Sequence, residues 1–159
     1  MSVSQINYTR AVQVYAGGYA NIPYPSIVRQ DVNTSVLSTY LVDANAKFLS
    51  MGLNNGDIIY NDTSKTCATI LEVESDTRLK LNFDLFTGTP QSYTIFKASP
   101  QDVLGNRGCS LFISSNDTIV VKTVGGDIVT FENIWPGTIL PVQVVQLVSS
   151  LTNTNVALW

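Results

Sequence analysis

The sequence predicts an all-β protein made of small barrel-like or sandwich-like modules of short antiparallel strands, with minimal helix. Residues that favour strands are frequent, and turn residues recur at short intervals between them. Apolar residues make up 45% of the 159 positions, whereas charged residues make up only 13%, about half the usual share. This composition is typical of a folded chain that forms one medium domain or two small ones.

Ten segments have the length and composition of β-strands. They are residues 11–15, 57–61, 68–74, 78–83, 92–97, 110–114, 118–124, 127–132, 138–148 and 155–159. Helical spacing of apolar residues occurs only in residues 35–51. Because residues 36–42 are also rich in strand formers and Asp43 can cap a helical turn, we predict a strand followed by one turn of helix to about Ser50.

A charged hairpin is the clearest local unit, with the sequence ATILEVE-SDT-RLKLNF. Strict alternation gives it two faces, an apolar one with Leu71, Val73, Leu79 and Leu81 and a charged one with Glu72, Glu74, Arg78 and Lys80. Folding about Asp76 pairs Glu74 with Arg78 and Glu72 with Lys80, and each such pair contributes roughly 0.2–1 kcal/mol. The alternative is a catalytic pair of carboxylates. Cross-strand salt bridges are favoured because they account for all four charges.

A second hairpin is predicted in TIVVKTV-GG-DIVTFEN. Gly125-Gly126 can form a two-residue turn with positive φ angles, and Gly126-Asp127 is the alternative register. The glycine pair is not part of a phosphate-binding loop, since the motifs that bind phosphate need further glycines or lysine and a following helix.

Three parts of the chain differ in composition. Residues 1–30 are predicted to be an N-terminal extended segment, residues 31–98 a small β-barrel-like domain, and residues 109–159 a C-terminal β-sandwich module. Residues 99–108, which are rich in turn formers, are the predicted linker. The tyrosine-rich N-terminal segment either packs on a neighbouring surface or folds onto its own domain.

Several functional classes are excluded or disfavoured by the composition. The chain has no histidine, so it contains no Ser-His-Asp triad and no histidine metal site. Nine basic residues are scattered singly among twelve acidic ones, which argues against a nucleic-acid partner. No window approaches the roughly 20 apolar residues of a membrane span, and no signal peptide is expected. Cys67 and Cys109 are predicted to be two buried thiols, although one disulfide is arithmetically possible.

The C-terminal stretch carries a family resemblance. It contains a T-V-G-G-D turn, then V-T-F, then a P-G-T-x-L-P-V-x-V segment, a Thr/Asn-rich turn and a terminal A-L-W. These motifs are residues 123–127, 129–131, 136–144, 152–154 and 157–159. The pattern resembles the C-terminal module of tailed-phage virion structural proteins, and of the head-spike base proteins of phage-like gene transfer particles. Where the family often has a T-G-T-T-A-T type of loop, this chain has SSLTNTN.

The rest of the chain is similar to virion proteins of large cyanophages and related viruses. The pattern that residues 48–96 share with them is G-D-I-V-Y-N, a Thr/Ser turn, A-T-I, a charged hairpin and S-Y-x-I-[FY], and this chain has G-D-I-I-Y-N at the first motif. Residues 9–25, with R-A-V and Y-A-x-x-Y-A-N-I-P, resemble the start of the same proteins. These strand-and-turn motifs imply a virion component and no catalytic residues.

The resemblance and the composition together lead to an expected function. We expect a non-enzymatic capsid cement or decoration protein that binds the major capsid protein and itself, as a homotrimer, without cofactor, metal, nucleic acid or membrane. The expected location is the capsid exterior of a virion assembled in the host cytoplasm. The alternatives are a head-spike base, tail-fibre or baseplate adaptor with a spike or fibre partner, and a carboxylate-based glycan hydrolase. The candidate inter-subunit contacts are Tyr15, Tyr19, Tyr24, Trp135 and Trp159.

Overall fold

The computed structural model describes residues 8–17, 19–98, 101–102 and 105–159, and it is almost entirely β, as the sequence predicts. The strands are β1 (Ala11–Gln13), β2 (Ile27–Val32), β3 (Ser35–Leu37), β4 (Tyr40–Val42), β5 (Ile58–Asn61), β6 (Thr66–Ser75), β7 (Arg78–Leu81), β8 (Ser92–Phe96), β9 (Gln101–Asp102), β10 (Gly105–Asn106), β11 (Ser110–Ile113), β12 (Asp117–Thr123), β13 (Ile128–Ile134), β14 (Thr138–Ile139), β15 (Val144–Ser150) and β16 (Val156–Leu158). One short 3₁₀ helix, Phe48–Ser50, is the sole helix in the described ranges. Nothing helical in those ranges is long and apolar enough to cross a membrane.

The middle of the chain forms a curled seven-stranded sheet in the order β2-β8-β5-β6-β7-β4-β3. The ten-residue strand β6 pairs with β5 along its first half and with β7 along its second half. The two outer strands, β2 and β3, are joined by only Asn33 and Thr34, so the two edges of the sheet meet there. A core of buried side chains fills the curl, and its largest members are Phe48, Phe86 and Tyr93.

The C-terminal part is a sandwich of two sheets. One sheet has the order β1-β16-β11-β14 and the other the order β13-β12-β15. Alternate side chains of both sheets are buried between them, including Leu111 and Ile113 of β11 and Ile119 and Val121 of β12. This alternation is the pattern expected when each sheet has one face in the core.

The N-terminal segment contributes to both parts. Its strand β1 pairs with β16, the last strand of the chain, and residues 27–30 belong to β2, which pairs with β8. The predicted linker 99–108 lies partly outside the described residues, and it contains the short β9–β10 pair. The predicted division into domains stays a prediction.

The charged hairpin forms, with two departures from the prediction. Glu72 is paired with Lys80 as predicted, but Arg78 is paired with Ser75 rather than with Glu74. The Arg78 guanidinium still lies 2.9 Å from the Glu74 carboxylate. The placement of Leu71 on the apolar face is wrong, since its side chain is 45% exposed. The strand register shifts between Ile70 and Glu72, which breaks the alternation and places Ile70 in the core.

The turn of the second hairpin differs from both predicted registers. Gly126 has φ of +95°, whereas Gly125 has no positive φ. Gly126 donates its N–H to the Thr123 carbonyl, and Thr123 donates to the Asp127 carbonyl. Because Thr123 and Asp127 are the closing pair, the loop has three residues, Val124 to Gly126, with Gly126 in the left-handed region at its end.

Two other boundaries were predicted incompletely. The strand predicted over residues 138–148 is divided into β14 and β15, because Pro141 cannot donate to a strand ladder. The strand predicted before the helical turn is a hairpin of β3 and β4, and the turn of helix follows at Phe48–Ser50. Its N-cap is Lys47 rather than Asp43, whose carboxylate instead accepts a hydrogen bond from the Asn45 amide.

Candidate functional site

The five aromatic residues predicted as inter-subunit contacts lie in three different environments. Tyr15 is buried, Tyr24 and Trp159 are half-buried, and Tyr19 and Trp135 are exposed by 82% and 75%. The structure brings only Tyr24 and Trp159 together, with ring centroids 6.0 Å apart in an edge-to-face arrangement. Whether any of the five contacts another subunit stays a prediction.

Tyr15 is part of a junction cluster between the N-terminal segment and the curled sheet. Its ring centroid lies 4.4 Å from that of Tyr60, and Phe96 and Cys67 complete the contact. The Cys67 thiol donates to the Tyr15 carbonyl at 3.3 Å. Burial raises the pKa of Tyr15. These contacts give Tyr15 a role inside the molecule.

Tyr24 and Trp159 close the start of the chain against its end. The Arg10 guanidinium lies 5.2 Å from the centroid of the Tyr24 ring and donates to the Pro25 carbonyl. Trp159 donates its backbone N–H to Arg10 and packs against the sandwich core. The aromatic pair therefore covers one side of the sandwich.

Trp135 belongs to a surface that we call the loop end of the sandwich, comprising residues 114–117, 134–137 and 150–155. These ranges are the connections from β11 to β12, from β13 to β14 and from β15 to β16. The second connection lies beside the first, because Asp117 is paired with Ile134 and Gly137 donates its N–H to the Ile113 carbonyl. The Ser115 hydroxyl lies 3.1 Å from that of Thr152 and 2.9 Å from that of Thr154. The three connections are thus held together by hydrogen bonds.

The centre of the loop end is the buried carboxylate of Asp117. It accepts hydrogen bonds from the hydroxyls of Ser150 and Thr152, from the Leu151 amide at 2.8 Å, and from the side-chain amide of Asn155 at 3.0 Å. Burial on its own would raise the pKa of Asp117, but these hydrogen bonds outweigh it and hold the pKa below its ordinary value. A buried charge with this many donors fixes the shape of the loops around it.

The outer surface of the loop end is uncharged and carries two exposed apolar side chains. Trp135 and Leu151 are exposed by 75% and 80%. Apart from the buried Asp117, no residue of the three ranges is charged, and most of the others are Ser, Thr or Asn. Charged side chains elsewhere in residues 108–159 are confined to the β12–β13 hairpin, at Lys122, Asp127 and Glu132.

Other polar clusters have internal partners. The buried Asp43 carboxylate accepts hydrogen bonds from Tyr93 at 2.6 Å and Arg29 at 3.0 Å. Asp57 is bound by Lys97 at 2.7 Å. Both carboxylates tie together parts of the curled sheet. No group of three or more metal-ligating side chains occurs in the part of the chain that the structure describes.

Both cysteines are free and buried, in agreement with the prediction of two thiols. Burial raises the pKa of Cys67 and of Cys109 to about 12. At neutral pH both groups are therefore protonated thiols, which are poor nucleophiles and poor metal ligands.

Two adjoining open recesses of about 400 Å³ and 390 Å³ lie on the outer side of the sandwich. Tyr8, Ser110 and Gln143 line both, and all of their other lining residues are uncharged as well. Neither recess is lined by an Asp or Glu side chain.

Trp135 is among the contact residues predicted from the sequence, whereas Asp117 and Leu151 are not. The signal that could have indicated Asp117 is the SSLTNTN turn, because its many hydroxyl and amide groups need a hydrogen-bond acceptor when they are buried. Comparison of the chain with protein-family models, with curated proteins and with solved structures gave no match. Its function is therefore argued from its own surfaces and motifs.

Proposed function

We propose that this chain is a non-enzymatic structural protein of a tailed-phage virion, which binds the outside of the assembled capsid as a cement or decoration protein. The observation that carries the proposal is the loop end, an uncharged and hydrogen-bonded surface from which Trp135 and Leu151 protrude. The proposed partner is the major capsid protein. Burial of the loop end against it would hold neighbouring capsid subunits together.

The physical argument rests on preorganisation. The Asp117 network ties the connection before β12 to residues 150–155, and the bond from the Gly137 N–H to the Ile113 carbonyl holds the connection that bears Trp135. Few loop residues must therefore be ordered on binding, and the loss of conformational entropy is small. Aromatic side chains that become fully desolvated contribute most of the binding energy in typical interfaces. Trp135 is such a side chain, and it is solvent-exposed in the isolated chain.

The sequence motifs support the same proposal. The segment that resembles virion proteins most, residues 123–159, includes strands of both sheets of the sandwich as well as Trp135 and Leu151. The absence of histidine and the internal pairing of Asp43 and Asp57 favour a binding role over catalysis.

Cosedimentation with capsids tests the proposal. Capsids of the phage that encodes the chain are stripped of accessory proteins and mixed with the purified wild-type chain or with Trp135→Glu. We expect the wild type to sediment with capsids and Trp135→Glu to bind at least tenfold more weakly, since truncating a central aromatic contact costs at least about 2 kcal/mol.

The matched control is Tyr19→Glu, which changes a similarly exposed aromatic residue far from the loop end in the sequence. Equal binding of the wild type and Trp135→Glu would overturn the role of the loop end. No binding of the wild type to capsids, together with binding to tails or baseplates, would favour the adaptor alternative. A low copy number per virion would point the same way.

A further inference from the structure

The outer edge of β13 is an unpaired strand edge of the sandwich. Among the described residues, β13 pairs only with β12. The hydrogen bond from the Thr123 N–H to the Asp127 carbonyl shows which residues of β13 are hydrogen-bonded to β12. Every second residue from Asp127, namely Val129 and Phe131, directs its backbone N–H and carbonyl towards β12. By alternation, the backbone groups of Ile128 and Thr130 point away from the sheet. Glu132 is the next residue in that alternation, and the register shift begins there.

Between Ile128 and Phe131 this edge lacks most of the features that usually prevent edge-to-edge pairing. Such features are charged side chains, proline, register shifts and very short strands. The seven-residue β13 contains one charged residue, Glu132, and no proline. Its one register shift follows Phe131, where Glu132 and Asn133 together stand opposite Thr118 and Asn133 has a φ of +52°. Ile128 at its start is 67% exposed.

The other long edges are better protected. The outer strand β2 carries Arg29 and Asp31 and has a register shift after Ile27. The opposite edge of the same three-stranded sheet, β15, already accepts the Ile22 N–H at Val145 and bridges to Cys109.

We propose that β13 pairs antiparallel with β13 of a second copy of this chain, about a two-fold axis at Thr130. In this register Thr130 faces its own symmetry mate, and Ile128 faces Glu132 of the second copy. The two three-stranded sheets then form one continuous six-stranded sheet with the same face outward.

Charge complementarity selects the second copy as the occupant. Lys122 is paired with Ile128 and lies on the same face of the sheet. In the proposed dimer, the second copy's Glu132 lies on the other side of Ile128, about 10 Å from Lys122 between Cα atoms across two strand spacings. A lysine side chain spans much of that distance, so a Lys122–Glu132 pair forms twice by symmetry.

The pairing has a consequence for the proposed function, and this step alone rests on that function. Because the two β13 strands run in opposite directions, the two loop ends point away from each other. Each dimer would then contact two capsid sites, with one Trp135 at each end. This assembly is a dimer rather than the homotrimer expected from the sequence.

Charge reversal tests the pairing, with sedimentation equilibrium of the full chain as the measurement. We expect a wild-type dimer, and at least tenfold weaker association for Lys122→Glu and for Glu132→Lys, since each places like charges on both sides of Ile128. The double variant K122E/E132K restores the pair and should restore dimerisation. The control is Lys80→Glu, which alters a cross-strand pair on the curled sheet and should leave the dimer unchanged.

Thr130→Pro is a second, independent variant. It removes an N–H that points away from the sheet, which an edge strand tolerates, and it blocks pairing with another strand. Circular dichroism confirms that each variant is folded. A monomeric or trimeric wild type, a dimeric Thr130→Pro variant, or failure of the double variant to dimerise would overturn the proposal.

The capsid assay separates this inference from the proposed function. Monomeric wild-type protein that still sediments with capsids would overturn the pairing and leave the function standing. A wild-type dimer that responds to the variants as expected but ignores capsids would support the pairing and count against the function.

Discussion

At the scale of single residues, Asp117 organises the surface on which the proposed function depends. Its carboxylate joins Ser150, Leu151 and Asn155 beneath the exposed side chains of the loop end. Hydrogen bonds to a charged group typically contribute roughly 1.5–3 kcal/mol each, more than neutral ones. The buried charge therefore converts a hydroxyl-rich turn into a fixed structure.

Replacing Asp117 should destabilise the chain in a pH-dependent way. We expect Asp117→Asn to lower the free energy of unfolding by roughly 1.5–3 kcal/mol at neutral pH, since the amide places a donor against other donors. Because the folded-state pKa of Asp117 is depressed, its stabilisation is present above the unfolded pKa of about 4 and is lost as the pH falls through the folded pKa. The difference between the two proteins should therefore shrink in acid.

Urea unfolding at a series of pH values measures this effect. Asp127→Asn is the control, since that carboxylate is exposed in a hairpin turn and its loss should change stability by no more than about 0.5 kcal/mol. A stability difference for Asp117→Asn that is small, or that does not vary with pH, would contradict the role assigned to the network.

Which of the tyrosines are buried was only partly predictable from the sequence. Tyr15 and Tyr19 have the same side chain and similar neighbours in the sequence, yet one is buried and the other is exposed. The difference arises from contact of Tyr15 with Tyr60, which lies 45 positions away in the sequence. Local pattern does not contain such long-range information.

At the scale of elements, the N-terminal segment links the two parts of the fold. Val14 is buried in the sandwich core, and its neighbour Tyr15 is buried in the junction cluster against the curled sheet. Strand β1 also bonds to β16, so the segment completes one sheet while it contacts another. Adjacent side chains on an extended backbone point in opposite directions, which explains how the segment that follows β1 contacts both cores.

Truncating Tyr15 should weaken this link. We expect Tyr15→Ala to lower the free energy of unfolding by about 3 kcal/mol, since it leaves a cavity beside Tyr60 and Phe96. Calorimetry should then show the curled sheet and the sandwich unfolding in separate transitions, where the wild type unfolds in one.

Tyr19→Ala, in the same segment, should change stability by less than about 0.5 kcal/mol, because Tyr19 is exposed. If Tyr15→Ala and Tyr19→Ala had equal effects, the segment would not act through the burial of Tyr15.

Local elements were predicted well where two paired strands are neighbours in the sequence and are joined by one turn. The charged hairpin is an example, because Glu72 and Lys80 lie only eight positions apart and their pairing depends on one turn. The pairing of β1 with β16 joins the two ends of the chain, and no local signal encodes it. The strand β2 was missed for a similar reason, since its partner β8 lies more than 60 residues away.

At the scale of the whole molecule, charge is distributed unevenly. In the sandwich, the exposed charges lie on the β12–β13 hairpin, and the loop end has none. The low overall share of charged residues therefore reflects particular uncharged surfaces, rather than a uniform dilution. Such surfaces are suited to contact with other subunits, because burying them does not require desolvation of charges.

The central claim is that the loop end faces the capsid, and a cryo-electron microscopy difference map tests it most directly. Intact capsids are compared with capsids from phage that lacks the gene for this chain. We expect density for the chain on the capsid exterior, with Trp135 and Leu151 against the major capsid protein. Density found only on the tail, or a bound chain whose loop end faces solvent, would contradict the claim.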